Sequence, residues 1–205
     1  MTDNDRINID TNKNNNKTVS IEEIAKKARD ASGKIAEAGS AVKLSVLSTL
    51  KDLLIKDRKA IEAENEKDVE SAKAAGLSKP MIDRLFISGK VFSSMLNSID
   101  DVMKIKDPVG EIENMAVRPN GLMVGRMRIP LGVIGIIYES RPNVTIDASI
   151  LCLLSGNAVI LRGGSEAINS NKMLASIVSE SLRINGLPPE TVSIIPYIDR
   201  SAKPK

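Results

Sequence analysis

Two polar segments offer chemistry, each closing a β-branched run and opening a helical one. The first is Gly156–Glu166, GNAVILRGGSE. A buried strand there ends in Arg162, Gly163 and Gly164 follow, and Ser165 is placed to cap a helix. Glycines let backbone N–H groups approach a ligand, and a helix N-terminus adds partial positive charge. The pattern therefore suits a phosphate, with Arg162 adding a formal charge. It suits an ordinary tight turn with a surface Arg about equally well, because neither GxGxxG nor a Walker sequence is present. The second segment is Tyr138–Asn143, YESRPN. Pro142 fits a helix start, and Arg141 and Asn143 can face one crevice. The Asn143 amide is a competent oxyanion donor, or a helix cap.

Other chemistry is excluded by residue type. The 205 residues hold no His and one Cys. Ser–His and Cys–His pairs, a His general base and imidazole-ligated metal are therefore ruled out, and no metal site is expected. A single Cys forbids an internal disulfide and points to a reducing compartment. Cys152 itself lies in SILCLLS, mid-helix and in apolar company, where a thiol acts as a small hydrophobe with a raised pKa. A net charge of +3 and 2% aromatic residues argue against a nucleic-acid binder, which needs a dense basic face or stacking platforms. No apolar run approaches a membrane span and the N-terminus lacks a signal-peptide stretch, so a cytoplasmic chain is expected.

The elements that must hold these segments follow from period and punctuation. Residues 1–18 are rich in Asn and nearly devoid of apolar groups, which predicts a disordered tail. Over 19–107 the spacing predicts helices. Ser20 and Glu23 form a capping-box pattern, and Ile21, Ile24, Ala28, Ala31 and Ile35 make one stripe. Val46 to Leu54 carry a second, on a helix expected to run into the charged stretch Glu62–Lys73. Ser78 opens a short helix, and another bears Phe92, Met95 and Ile99. After Pro108 the period changes. Residues 122–129 read as a strand with Met123, Met127 and Ile129 on one face. Gly132–Tyr138 reads as a strand buried on both faces. Val144–Leu154, Ala158–Leu161, Ser165–Ile184 and Val192–Ile195 complete a βαβαβ unit, hence a parallel sheet. Lys dominates the cations of 19–107 and Arg those of 108–205, which places any small anionic ligand in the second region. A doubly wound nucleotide fold usually needs two such halves, so this sheet reads as incomplete.

From Arg126 to Gly164 the wording resembles the γ-glutamyl phosphate reductases, also called glutamate-5-semialdehyde dehydrogenases, of the aldehyde dehydrogenase superfamily. YESRPNVTID and GNAVILRGGSE carry the resemblance most specifically, and Asp83-Arg84-Leu85 and Gly186-Leu187-Pro188 extend it. It implies an α/β fold with N-terminal helices and an incomplete Rossmann-like sheet of the aldehyde dehydrogenase type. It also implies NADPH-dependent reduction of L-glutamyl 5-phosphate to L-glutamate 5-semialdehyde with release of phosphate, in proline biosynthesis, by a homo-oligomer. Arg162, Gly163, Gly164, Ser165 and Glu166 match the adenosine-ribose turn, with Arg162 suited to a 2′-phosphate of NADP. Asn143 matches an oxyanion donor, with Arg141 toward the substrate. The family's nucleophilic Cys segment is expected beyond Lys205, and Cys152 matches a non-catalytic position. The chain is thus expected to be an N-terminal half without activity of its own. The alternative is a non-enzymatic remnant serving as a nucleotide-binding or subunit-interaction module.

Overall fold

Ser20 starts the first helix as its spacing to Glu23 requires. In the computed structural model, which describes residues 20–196, its side chain accepts the Glu23 backbone N–H at 3.1 Å. Only half of the capping box forms, because the Glu23 carboxylate pairs with Lys27 instead. The helix, α1 (Ile21–Glu37), buries Ile24, Ala28, Ala31 and Ile35. The expected tail at 1–18 lies outside the described residues.

The second stripe is divided between two helices. α2 (Ser40–Lys56) stops at Asp57, and α3 (Arg58–Ala74) begins directly after it. A continuous helix was the sequence expectation, since Leu54, Ile61 and Val69 stay in phase. The reason for the break is length. Both helices pack against α7 (Ile168–Ile184), which has 17 residues, or about 25 Å at 1.5 Å per residue. A straight helix of twice that length would overshoot it. α4 (Lys79–Leu85) and α5 (Gly89–Lys104) follow, the latter capped by the Ser88 hydroxyl.

The strands form two sheets. β1 (Ile112–Val117) and β2 (Met123–Met127) make an antiparallel hairpin exposed along its whole length. β1 was not anticipated. Glu113 and Asn114 interrupt its alternation at a register shift, where Asn114 takes φ 54° and the Met115 thioether fills the space beside Gly125. The second sheet is parallel, in the order β3 (Val133–Ile137), β4 (Ala158–Arg162), β5 (Val192–Ile194). α6 (Asn143–Leu154) connects β3 to β4, and α7 connects β4 to β5. β3 corrects the expectation of a strand buried on both faces. It is an edge strand with Ile137 79% exposed, and β4 takes the buried place. A β-branched run reports affinity for burial, not which neighbour a strand has.

An apolar core joins the helices to the parallel sheet, running from Ile35, Leu47 and Ile99 through Ile146 and Leu161 to Val178 and Val192. Two buried polar ties cross it. Lys43 on α2, 1% exposed, bonds Asp107 at 2.9 Å and the Leu154 carbonyl at the end of α6 at 3.2 Å. Burial pushes the Asp107 carboxyl up, but hydrogen bonds from the Val109 amide, Lys43 and Ser40 outweigh it and hold the group below its usual range. The second tie is Asp68 on α3, 2% exposed. Its carboxylate accepts the backbone N–H groups of Asn169 and Ser170 at 3.1 and 2.7 Å, the Asn169 amide at 2.8 Å and the Ser170 hydroxyl at 2.6 Å. Among the described residues no helix is long and apolar enough to cross a membrane.

Asp68 thus caps α7 from another helix. Asp68→Ala leaves two amides and two side-chain donors without their acceptor, and should cost about 2–4 kcal/mol. Urea unfolding measures it. A loss under about 1 kcal/mol would show that water replaces the carboxylate without penalty.

Candidate cofactor site

The parallel register places the two sequence segments side by side. Ile137 is the partner of Arg162, and the Tyr138 N–H donates to the Arg162 carbonyl at 3.0 Å. The loop Tyr138–Pro142 and the turn Gly163–Ala167 therefore leave the sheet together at the carboxyl ends of adjacent strands, where open α/β sheets hold their ligands. They are also tied to each other. The buried Ser140 hydroxyl donates to the Glu166 carboxylate, and the Ser165 hydroxyl reaches its other oxygen at 3.3 Å. Burial pushes the Glu166 carboxyl up, but bonds from Ser140, its own backbone N–H and Ser165 outweigh that and hold it below the usual carboxylate range.

Beneath the two loops runs a polar chain. Thr145 donates to the Asn171 side-chain Oδ1 at 3.1 Å, so its own oxygen accepts from the Tyr138 hydroxyl at 2.7 Å. Burial raises the Tyr138 pKa, against a smaller opposing effect of that bond. Asn171 is 1% exposed, and its Nδ2 has no partner among the described residues. A Cβ on Gly163 would collide with the Asn171 amide and come within 3.1 Å of the Tyr138 ring, and one on Gly164 would meet the Glu166 carboxyl. Both glycines therefore have a packing reason to be glycine, on the side facing the protein.

The helix end behind the turn differs from the sequence expectation. Ser165–Ala167 form a single 3₁₀ turn, and α7 begins at Ile168. Asp68 already accepts two of the free amides of its first turn, those of Asn169 and Ser170. An anion at this turn gains little from the helix terminus, since those donors and their partial charge are satisfied internally. Arg162 is what remains. It is half-buried at the end of β4 and makes no ion pair among the described residues. Its donor set fits a phosphate. Asn143 lies at the first position of α6 and donates to Asp147 at 3.1 Å, so it does not act as the cap, and Arg141 is exposed on the loop. The structure thus brings Tyr138–Asn143 and Arg162–Glu166 to one edge.

Ser140, Thr145, Asn171 and Asp68 were not singled out from sequence. Asn171 carried a signal, since it stands between Ala167 and Leu174 in the buried stripe of its helix, where an apolar residue belongs. Asp68 carried none, being one acid among many on α3.

This edge can be compared with known proteins. No family model matches the chain. The gamma-glutamyl phosphate reductase of Solidesulfovibrio magneticus is 50% identical over 182 residues, 89% of this chain and 43% of the relative. That of Citrifermentans bemidjiense is 51% identical over 180 residues. The crystal structure of the Thermotoga maritima gamma-glutamyl phosphate reductase superposes with a TM-score of 0.85 at 42% identity, covering 88% of this chain and 44% of that one. The chain is similar to the N-terminal half of gamma-glutamyl phosphate reductase. It spans less than half the length of these relatives. A putative aldehyde dehydrogenase from Bacillus subtilis, at 18% identity and a TM-score of 0.61, shares the fold. The α/β architecture with N-terminal helices and a parallel sheet is therefore of the aldehyde dehydrogenase type.

Cys152 is the one cysteine of the 205 residues. It is 5% exposed on α6, and burial pushes its thiol up to about 11. The thiolate is the reactive form, so at neutral pH Cys152 is a packed hydrophobe, as its apolar neighbours predict. Iodoacetamide at mildly alkaline pH should leave the folded chain unmodified and label it fully in urea. Labelling of the native chain at the rate of a free thiol would contradict this.

Proposed function

We propose that this chain supplies the cofactor-binding part of an NADPH-dependent reductase, which converts L-glutamyl 5-phosphate to L-glutamate 5-semialdehyde and phosphate in proline biosynthesis. The observation that carries the reading is the half-identity to relatives named for that reaction, extending through both loops of the candidate edge. Arg162, in no ion pair among the described residues, supports it from geometry. In this reading residues 108–205 form the cofactor region and 19–107 the helical region packed against it, in a cytoplasmic enzyme.

NADPH, when bound, supplies the hydride. The chain's own residues bind and orient. Arg162 holds the 2′-phosphate by charge-assisted hydrogen bonds, and Gly163, Gly164 and Ser165 border the adenosine ribose. Asn143 offers its amide toward the oxygen that gains charge during acyl transfer, at the cost of its bond to Asp147. Arg141 faces the anionic substrate from the same loop. The hairpin is the proposed subunit surface of a homo-oligomer. Ile112, Val117, Met123 and Met127 are each more than half exposed on it, and a lone two-stranded ribbon with apolar faces gains stability once covered. For the 205 residues on their own, the buried state of Cys152 favours a second reading, a nucleotide-binding or subunit-interaction module without turnover.

The test titrates 2′-phospho-ADP-ribose and ADP-ribose against wild type and Arg162→Ala. Loss of one charge-assisted contact should weaken the phosphorylated ligand by roughly ten- to a hundredfold, and the other ligand less. Equal losses would remove Arg162 from the 2′-phosphate role.

A further inference from the structure

Two opposite charges leave the carboxyl end of β4 within five residues, Arg162 and Glu166. They make contrary demands on an adenosine ribose. A carboxylate favours a free 2′-hydroxyl, which donates to it, and repels a 2′-phosphate. A guanidinium favours the phosphate. The turn by itself therefore encodes no preference, and what decides is which charge faces the ligand. The two do not neutralise each other, since no ion pair joins them.

The deciding contact comes from the neighbouring strand's loop. Ser140 is 7% exposed and donates to one oxygen of Glu166, while Ser165 reaches the other. Ser140 is itself fixed. The Tyr138 amide before it is bonded to Arg162, and Arg141 after it closes a turn onto the Glu139 carbonyl at 2.7 Å. The hydroxyl is thus presented by a different element from the one that carries Glu166. We infer that Ser140 is a positioning residue for cofactor choice, holding the Glu166 carboxylate against the β3–α6 loop so that Arg162 alone selects a 2′-phosphorylated adenosine. This rests on the cofactor reading above. A carboxylate is ionised at neutral pH, so Glu166 once released would compete for the ribose hydroxyl and repel the phosphate.

The experiment measures affinities for 2′-phospho-ADP-ribose and ADP-ribose by calorimetry on the 205-residue chain. Ser140→Ala should reduce the preference for the phosphorylated ligand by roughly tenfold, and Ser140→Thr, which keeps the hydroxyl, should retain it. Glu166→Gln should leave the preference within about threefold of wild type, and the double variant S140A/E166Q should match E166Q, because the charge that Ser140 restrains is gone. A wild-type preference in S140A overturns the inference while leaving Arg162 and the cofactor reading intact. So does a tenfold gain for the phosphorylated ligand in E166Q alone, which would mean that the carboxylate already faces the ribose. That second outcome needs only the E166Q protein and decides the matter even if S140A fails to fold. Wild type that binds neither ligand overturns the cofactor reading and this inference together.

Discussion

Asp68 sits on a helix with little apolar surface, and it takes four hydrogen bonds from the first turn of α7. Such a carboxylate is tolerated in the interior only because each oxygen is fully used. Much of the architecture follows from that requirement. α3 must lie against the start of α7, which the break at Asp57 allows. α7 cannot begin before Ile168, so the residues between β4 and the helix close as a short 3₁₀ turn. Asn65, one turn before Asp68, extends the tie by donating to Ser170 and to the Leu85 carbonyl and accepting the Ile87 amide. The helical region and the sheet region are locked by polar groups at Asp68 and at Lys43, and elsewhere by the shared apolar core.

The same cap decides the chemistry available at the edge of the sheet. A glycine turn followed by a helix invites the reading of an anion site built from backbone amides. Here the amides of Asn169 and Ser170 at the helix start are spent on Asp68, and the glycines make room for Asn171 and Glu166. In the proposed reading, binding of a phosphate at this place rests chiefly on the Arg162 side chain. Its neighbour Glu166 is a rival of opposite sign, and the loop from β3 keeps it occupied.

Periodicity exposed the elements whose burial is one-sided. The stripe Ile24, Ala28, Ala31, Ile35 was legible because its spacing follows the helix repeat, and α6 because it is apolar on nearly every side. Three features were not. β1 is hidden because its alternation is broken by Glu113 and Asn114 at a bulge. The edge position of β3 depends on strand order, which no run of Val and Ile encodes. The start of α7 depends on a residue a hundred positions earlier in the chain. At the site, both loops were legible as segments, since glycines, Pro142 and Arg162 mark them locally. Their union through Ser140 and Glu166 was not, because it follows from the register of two parallel strands. The resemblance in YESRPN and RGGSE, not composition, led to the reductases.

The central claim is that these two loops form one ligand edge, and amide hydrogen exchange reads it directly. Adding 2′-phospho-ADP-ribose should slow exchange at Tyr138–Asn143 and at Arg162–Asn171 together, and leave unchanged a separate groove lined by Glu66 and Val69 of α3 and by Phe86–Ser88 between α4 and α5. Protection confined to that groove, or to one of the two loops alone, would contradict the account.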